Sequence, residues 1–294
     1  AVVLRGAKPV FVDVREDTLN IDERLIESAI TSATRAIFPV HYAGVGCEMD
    51  SICKVAEVHD LKVVEDAAQG VNAFYRGRAL GTLGHLGAYS FHVTKNFIAG
   101  EGGALCINSA DLLERAEVLR EKGTNRGKFI RGEVDKYTWV DVGSSSLPAE
   151  IVSAFLLAQL ESIDSITETR RRAYDFYNDR LQLFETEGLI RLPVVPEHCT
   201  TNYHLFYILL NDRNTRDGLQ AFLKRHGIHS TFHYIPLHSS PMGLRLGGRE
   251  GELPVTESVA GRLLRLPFFN EITEQQQDRV VEQMTKFFRS PQAV

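Results

Sequence analysis

Polar residues able to do chemistry follow apolar runs in the segment 63–103. Asp66 ends the run VVED, and Ser90 and Lys95 lie within AYSFHVTKN. Glu101 is flanked by glycines. A lysine that is partly removed from water has a lowered pKa, and its neutral amine is then a nucleophile able to form a Schiff base. The runs therefore predict that carboxylate, hydroxyl and amine groups meet at one edge of a sheet.

Lys95 and Asp66 together admit two interpretations. One is an ordinary ion pair at the rim of a sheet. The other is a site for pyridoxal phosphate, in which the lysine bonds to the cofactor and the aspartate keeps the ring nitrogen protonated. In the second interpretation Ser90 donates to a phosphate oxygen, and the glycines around Glu101 let the backbone approach the cofactor closely.

The elements that must position these groups alternate between strands and helices. Short apolar runs predict strands at 9–14, 36–41, 61–67, 86–91 and 103–108. Helical patterns lie between several of them, which predicts βαβ units and a largely parallel sheet. Ligands of such sheets bind at the carboxyl ends of the strands, where His41, Asp66 and Lys95 lie.

The pattern changes in the middle of the chain. Residues 149–188 predict a long helix that spans between lobes or kinks within itself, and short strands follow at 204–210 and 229–235. We therefore predict an α/β fold with two domains. The large domain covers residues 1–165, and a smaller α+β domain covers residues 166–294.

Composition argues against several classes of protein. The 294 residues carry a net charge of -5 and 44% hydrophobic residues, which gives no reason to expect a nucleic-acid partner. No apolar run reaches the roughly 20 residues that a membrane helix needs. The four cysteines are sparse and form no C-x-x-C pair, which indicates a reducing cytoplasm.

Two cofactor types are not expected. The string GVG at 44–46 lacks the third glycine of a dinucleotide fingerprint, which argues against NAD. His233 and His238 have no cysteine or carboxylate at ligand spacing, which argues against a metal site.

Longer strings carry a resemblance over essentially the whole chain. The strings EDAAQG, SFHVTKN and GEGG resemble the DegT/StrS family of sugar aminotransferases, which are fold-type I pyridoxal phosphate enzymes. Five further strings add to it in order: VLRGAKPVFVDVREDTLNID, PVHYAGVGCEMD, REKGTNR, DKYTW and FHYIPLH. The resemblance implies a mostly parallel sheet flanked by helices, a smaller C-terminal domain, and a homodimer with shared active sites.

The resemblance implies a role for each of five residues. Lys95 matches the lysine that bonds to the cofactor and moves a proton between the substrate carbon and the cofactor. Asp66 matches the carboxylate at the pyridine nitrogen, and Gln69 matches the residue near the ring hydroxyl. Ser90 matches a phosphate ligand. His41 is expected to line the pocket and to contact the sugar.

Other expected positions lie outside that segment. His233 and Tyr234 belong to a string that is substrate-facing in the resemblance, and packing as a strand end is an equal alternative for each. Ser145 lies where many relatives have an asparagine that reaches the phosphate of the partner's cofactor, and a serine has the shorter reach. Family chains also extend further at the N-terminus, where a small-residue loop binds phosphate, so we expect residues 1–294 to lack part of the phosphate cradle.

The implied reaction is a two-stage amino transfer. An amino acid, glutamate by family habit, gives up its amino group, and the 4-keto group of a nucleotide-linked 6-deoxyhexose receives it. Lys95 argues against a related dehydratase branch, which has histidine at that position. A non-catalytic relative and an α/β binding module without covalent chemistry stay open as alternatives. The nucleotide, the donor and the product epimer stay open as well.

Overall fold

The computed structural model of the chain describes residues 1–289. The elements of the first half are α1 (Glu23–Ile26), β1 (Ala36–Ile37), α2 (Met49–Val58), β2 (Lys62–Asp66), β3 (Phe74–Tyr75), β4 (Arg78–Ala79), β5 (Leu86–Ser90), β6 (Gly103–Ile107), α3 (Leu113–Arg120), α4 (Arg126–Ile130) and α5 (Glu150–Glu161). Those of the second half are α6 (Ile163–Thr186), β7 (Ile190–Arg191), β8 (Cys199–Thr200), β9 (Tyr207–Leu210), α7 (Arg213–Arg225), α8 (Pro241–Arg245), α9 (Pro254–Arg262), β10 (Leu263–Arg265) and α10 (Glu274–Arg289). None of the helices within these residues combines the length and apolar character that a bilayer crossing requires.

The main sheet has four strands in the order β1-β2-β5-β6. Strands β1, β2 and β5 run parallel, and β6 pairs antiparallel with β5. Helix α2 packs on this sheet through Met49, Ile52 and Ala56, whose spacing of three and four residues places them on one helix face. The predicted α/β class with a largely parallel sheet is confirmed.

Strand β2 delivers two carboxylates to opposite faces of the sheet. Val63 and Glu65 are buried, whereas Asp66 is only half-buried, as the alternation of side chains along a strand requires. After Asp66 the ladder ends with a bond from Ala67 N to Ala88 O at 3.0 Å. The carboxyl end of β2 therefore opens directly into a loop.

The predicted strand at 9–14 is wrong. Its one ladder contact within the described part of the chain is an isolated bridge between Val14 and Ile21. Asp13 instead turns its carboxylate to the first turn of α9, where it accepts hydrogen bonds from Val255 N at 3.0 Å and Thr256 N at 2.8 Å. The segment is therefore held by a helix cap and not by a sheet.

The predicted strand at 36–41 is shorter than expected. Its ladder covers Ala36–Ile37, and Pro39 has no N–H group with which to continue it. Two bonds replace the ladder at its end: Asp66 N donates to Pro39 O at 2.8 Å, and His41 N donates to Asp66 O at 3.1 Å. These bonds hold the end of β2.

The predicted long helix at 149–188 breaks at Ser162 into α5 and α6. Helix α6 buries one stripe of side chains: Arg170, Ala173, Tyr174, Tyr177, Leu181 and Phe184. Helix α5 buries none of its residues, although Ile151 and Phe155 are large and apolar. The predicted domain boundary between residues 165 and 166 falls in the first turn of α6 and stays a prediction.

A second core lies against an antiparallel sheet of order β10-β9-β7. All residues of β9 are buried, and Tyr177 of α6 and Phe206 are fully buried beside them. The predicted strand at 229–235 is reduced to a bridge between Thr231 and Arg265. A third small sheet, β4-β3-β8, joins the two halves of the chain.

Candidate active site

Asp66 is anchored at the end of β2 through both its backbone and its side chain. Its backbone bonds are those to Pro39 and His41 described above, and its Oδ1 atom accepts a hydrogen bond from Ala68 N at 3.0 Å. Its negative charge acts on Lys95, where it opposes the lowering of the lysine's pKa by burial. The strand end therefore presents a fixed carboxylate to the lysine.

Lys95 lies in the loop that follows β5, where its backbone N–H donates to His92 O at 2.9 Å. Burial lowers the pKa of the ammonium group below its ordinary value; the charge of Asp66 opposes this effect and the charge of Arg265 adds to it. A lowered pKa increases the fraction of neutral, nucleophilic amine. Lys95 is therefore suited to covalent chemistry at a carbonyl carbon.

Lys95, Gln69 and Ser90 line one small pocket. The full lining is Ala68, Gln69, Val71, Ser90, Lys95, Asn96, Phe97, Asn202 and His204. Gln69 Oε1 accepts a hydrogen bond from Ala43 N at 2.7 Å, which fixes the orientation of the amide. Ser90 Oγ accepts a longer bond from His92 N at 3.4 Å. Three groups that the sequence predicted for the site are thus brought together.

A polar network from the second half of the chain completes this pocket. His204 Nδ1 lies 2.8 Å from Asn96 Oδ1, and Asn96 Nδ2 donates to Asn202 O at 2.8 Å. Asn202 Nδ2 in turn donates to Gln69 O at 2.8 Å and Val71 O at 2.7 Å. The sequence analysis did not single out these residues. Asn202 and His204 have one signal, the polar string NYH immediately before an apolar run, and Asn96 directly follows Lys95.

His204 is a neutral imidazole near three cations. Burial lowers its pKa well below the ordinary value, and the charges of Arg170, Lys95 and Arg265 lower it further. Because Asn96 Oδ1 can only accept, the proton of the ring is on Nδ1, which leaves Nε2 as an acceptor. Together with Lys95 and Asn96, His204 also lines a second cleft of about 350 Å³ that adjoins the pocket.

His41 is fully buried and is not among the residues that line the pocket. Its Nε2 atom lies 2.8 Å from Glu65 Oε2, and its Nδ1 atom accepts a hydrogen bond from Cys47 N at 3.1 Å. Both ring nitrogens are therefore engaged inside the protein. This arrangement does not support the predicted contact with the sugar and gives His41 a packing role behind β2.

His233 and Tyr234 differ in their surroundings. His233 Nδ1 lies 3.2 Å from Tyr42 Oη, and burial together with the charge of Arg265 lowers the pKa of His233 to about 4. Tyr234 is 78% exposed. Their contact with substrate stays a prediction.

Ser145 is exposed and lies outside the linings of both pockets. Its predicted contact with a partner's cofactor stays a prediction. Glu101 is also exposed, with its carboxylate 3.6 Å from His92 Nε2. Neither residue is part of the site within one chain.

The side chains that line the small pocket, together with Asp66 at the end of β2 outside that lining, are chemically suited to an aldehyde cofactor that carries a pyridine ring and a phosphate. Lys95 offers a partly desolvated amine, Asp66 a fixed carboxylate and Ser90 a hydroxyl. Among residues 1–289 no group of three or more histidine, cysteine or carboxylate side chains is arranged to hold a metal ion. The donor set therefore suits an organic cofactor.

The parallel-dominated sheet, with the lysine after β5 and the aspartate at the end of β2, defines a fold-type I pyridoxal phosphate-dependent transferase architecture. The profile of the DegT/DnrJ/EryC1/StrS aminotransferase family matches residues 1–285. The chain belongs to this family, which confirms the resemblance found in the sequence.

Individual relatives are similar along nearly the whole chain. A pleiotropic regulatory protein of Geobacillus stearothermophilus is 38% identical over 98% of this chain and 75% of its own length. The spore coat polysaccharide biosynthesis protein SpsC of Bacillus subtilis is 32% identical over 96% of this chain and 74% of its own length. The crystal structure of S. venezuelae DesV in complex with a ketimine intermediate is 34% identical, with a TM-score of 0.86 over 98% of this chain and 74% of that chain.

Proposed function

We propose that this protein is a pyridoxal phosphate-dependent sugar aminotransferase. It moves the amino group of an amino acid, glutamate by family habit, to the 4-keto group of dTDP-4-keto-6-deoxyglucose and yields dTDP-4-amino-4,6-dideoxygalactose. The observation that carries the proposal is the half-buried Lys95, whose pKa is lowered and which shares one pocket with Gln69 and Ser90. The name of the relative SpsC supports a place in polysaccharide biosynthesis.

Four residues at or beside the small pocket would have separate tasks. Pyridoxal phosphate, when bound, accepts an amino group from one substrate and delivers it to another. Lys95 would supply the amine that holds the cofactor and would hold the proton that the substrate carbon gains or loses. Asp66, at the end of β2, would pair with the protonated ring nitrogen. The amide N–H groups of Gln69 would be left for the ring hydroxyl because its oxygen accepts from Ala43 N, and Ser90 would donate to the phosphate.

We assign the sugar nucleotide to the segment of His233 and Tyr234, which follows the bridge between Thr231 and Arg265. The exposed ring of Tyr234 offers a stacking surface, whereas His41 has no nitrogen left for a ligand. The four cysteines are all free, which supports a cytoplasmic reaction.

We also propose that two copies of the chain form a homodimer with shared sites. The support is a set of large apolar side chains that residues 1–289 leave exposed: Trp139 is 76% exposed, Ile151 79%, Phe155 50% and Leu157 57%. Of these, Ile151 and Phe155 lie together around one shallow pocket. Monomeric proteins rarely expose large contiguous apolar patches. Ser145 is exposed in the segment just before α5 and would be open to contact with a second copy that packs here. Light scattering measures the molar mass in solution and checks the proposal. The wild type is expected to have the mass of a dimer, and the double variant Ile151→Asp with Phe155→Asp is expected to have half that mass. A wild type with the mass of a monomer would contradict the proposal.

The function is tested with purified protein, pyridoxal phosphate, glutamate and dTDP-4-keto-6-deoxyglucose. The wild type is expected to form a visible absorbance band that borohydride removes, and to produce an amino sugar nucleotide identified by mass spectrometry and NMR. Lys95→Ala is expected to lose both the band and the activity.

The matched control for this test is Lys54→Ala, which removes an exposed lysine on α2 and is expected to keep both signals. A borohydride-reducible band in Lys95→Ala would overturn the assignment of the lysine. A wild-type band without amino transfer would favour a non-catalytic relative.

A further inference from the structure

Asn96 follows Lys95 directly in the chain, and its side chain is held by two residues from the second half of the protein. Its Nδ2 atom donates to Asn202 O at 2.8 Å, and its Oδ1 atom lies 2.8 Å from His204 Nδ1. The side chain is buried, with 5% of Asn96 exposed. One amide therefore bridges two positions that lie more than 100 residues further along the chain.

The residue between these two positions has a strained backbone. Tyr203 has a φ of +55°, in the left-handed region that bulky residues rarely adopt. Such a conformation persists only where surrounding contacts enforce it, and it is frequent at functional sites. One such contact is Thr201 Oγ1, which accepts from Tyr203 N at 3.1 Å and donates to Ala43 O at 3.3 Å. The turn 202–204 thus presents a carbonyl group and an imidazole to the same amide.

Arg170 holds the carbonyl groups of the turn 202–204. Its guanidinium group donates to Tyr203 O at 2.9 Å and to His204 O at 2.6 Å. A third bond runs to Asn270 Oδ1 at 2.7 Å, and the arginine is buried on α6. Hydrogen bonds from a charged donor are stronger than those between neutral groups. The turn is therefore fixed to α6 independently of its bonds to Asn96.

The other backbone bonds around Lys95 come from its own loop. Lys95 N donates to His92 O at 2.9 Å, and Ala99 N donates to Phe91 O at 2.7 Å. The two bonds of Asn96 instead connect this loop to a part of the fold that is anchored elsewhere. A shift of the loop against that part would carry the lysine amine out of its place in the small pocket.

We propose that Asn96 and His204 are positioning residues for Lys95. Their side chains tie the loop of the lysine to the turn 202–204 and thereby keep its amine in place in the small pocket. This inference rests on the proposed aminotransferase function. Since that function gives Lys95 a proton to hold in both half-reactions, loss of the tie slows both of them to the same extent.

The kinetic test measures the two half-reactions separately in single-turnover experiments. Asn96→Leu and His204→Leu keep a side chain of similar volume and remove the bond between the two residues. Because a displacement of about 1 Å can cost on the order of 100-fold in rate, each variant is expected to slow both half-reactions by the same factor, about 10- to 100-fold. The KM values of glutamate and of the sugar nucleotide are expected to stay within about threefold. His204→Asn keeps a donor near the place of Nδ1 and is expected to restore most of the rate.

A second readout depends neither on turnover nor on bound cofactor. The pH midpoint for acylation of Lys95 in cofactor-free protein reports the pKa of its amine, which burial lowers. The pKa of His204 lies well below its ordinary value, so the ring is neutral and its replacement by leucine changes no charge near the lysine. Displacement of the amine into water is therefore expected to raise the midpoint in both leucine variants.

The matched control is Gln277→Leu, which removes another buried amide. Gln277 is 1% exposed, donates to Ala173 O at 2.7 Å and lines neither the small pocket nor the second cleft. This variant is expected to unfold at lower urea concentration and to keep both rates and the acylation midpoint of the wild type. A loss of stability alone therefore does not reproduce the expected result.

The double variant Asn96→Leu with His204→Leu tests whether the two side chains act as one unit. It is expected to be no slower than the slower single variant, because either substitution already breaks the tie. Rate losses that multiply in the double variant would contradict a shared role. Asn96→Ala leaves room for water at Asn202 O and at the His204 ring, and it supplies the same readouts if a leucine variant does not fold.

The outcomes separate this inference from the proposed function. A wild type without the borohydride-reducible band and without amino transfer would contradict the function itself. An active wild type with unchanged rates and an unchanged acylation midpoint in the folded variants of Asn96 and His204 would overturn the positioning role alone. Slowing of only one half-reaction would overturn it in favour of a direct contact with that substrate.

Discussion

Substitution of Glu65 by glutamine is expected to destabilise the protein strongly. The carboxylate is fully buried. It accepts four hydrogen bonds, from His41 Nε2 at 2.8 Å, Gly81 N at 2.7 Å, Leu83 N at 2.6 Å and Gly84 N at 2.6 Å. Two of these bonds go to each oxygen. A glutamine keeps one accepting oxygen and turns an NH₂ group towards the two donors at the other.

The magnitude follows from the bonds that are lost. Either orientation of the glutamine removes two charge-assisted bonds at about 1.5–3 kcal/mol each, so we expect about 3–6 kcal/mol of lost stability. A change of tautomer in His41 does not relieve the conflict, because its Nδ1 atom already accepts from Cys47 N. The free energy of unfolding is measured by urea denaturation at neutral pH.

The control is Glu27→Gln, which removes a 67% exposed carboxylate beside His59. It is expected to lower the free energy of unfolding by less than about 1 kcal/mol, because solvent screens the interaction of exposed ion pairs. Equal stability of Glu65→Gln and wild type within about 0.5 kcal/mol would refute the role given to the buried carboxylate.

The same residue predicts a dependence of stability on pH. Burial acts to raise the pKa of Glu65, but the bonds from His41 and the backbone N–H groups outweigh it, and the pKa is lowered. A folded-state pKa below the unfolded value of about 4.3 means that Glu65 contributes stability above pH 4.3. That contribution is lost as the pH falls from there through the folded-state pKa. Glu65→Gln is expected to show a flatter decline of unfolding free energy over this acid range.

Two further substitutions probe the site and its support. Asp66→Asn removes a charge that acts to raise the pKa of Lys95. The pH midpoint for acylation of Lys95, measured in cofactor-free protein, is therefore expected to fall. An unchanged or higher midpoint would contradict an electrostatic interaction between Asp66 and Lys95. Gly44→Ala places a Cβ atom at a φ of +77° and against Asn202 Oδ1. It is expected to lower the free energy of unfolding by more than the roughly 1–2 kcal/mol that left-handed backbone strain alone would cost. Gly77→Ala, at a φ of +76° with open space around the Cβ position, measures the effect of the backbone strain alone. Equal urea midpoints for the two variants would contradict a steric overlap between the added Cβ atom at position 44 and Asn202.

Local sequence patterns predicted the strands that carry the reactive groups. The β-branched run before Asp66 and the run before Ser90 form β2 and β5, and both lie in one parallel pair. Hydrophobic patterning is a local signal, and it determines that Asp66 ends one strand and that Lys95 follows another. The order of strands in the sheet, which is a tertiary property, makes these two strands neighbours. The α/β class followed from the same alternation.

The residues that complete the site were decided by the tertiary structure. Asn202 and His204 lie more than 100 residues from Gln69 and Asn96 in the chain, and only packing of the two halves joins them. Arg265 ends a short antiparallel strand whose sequence gives no sign that it lines the second cleft. Side-chain contacts at such separations leave no periodic trace in the sequence.

Tertiary contacts also give two residues, Asp13 and His41, surroundings that differ from those predicted from the sequence. Asp13 ends an apolar run that predicts a strand, but its carboxylate caps α9 more than 240 residues away. His41 follows a predicted strand as a ligand would, yet the buried carboxylate of Glu65 holds it inside the fold. The sequence by itself determined which chemical groups stand at the strand ends. The tertiary structure decided which of them face the pocket, because a buried charge must be paired and hydrogen-bonded wherever the chain folds around it.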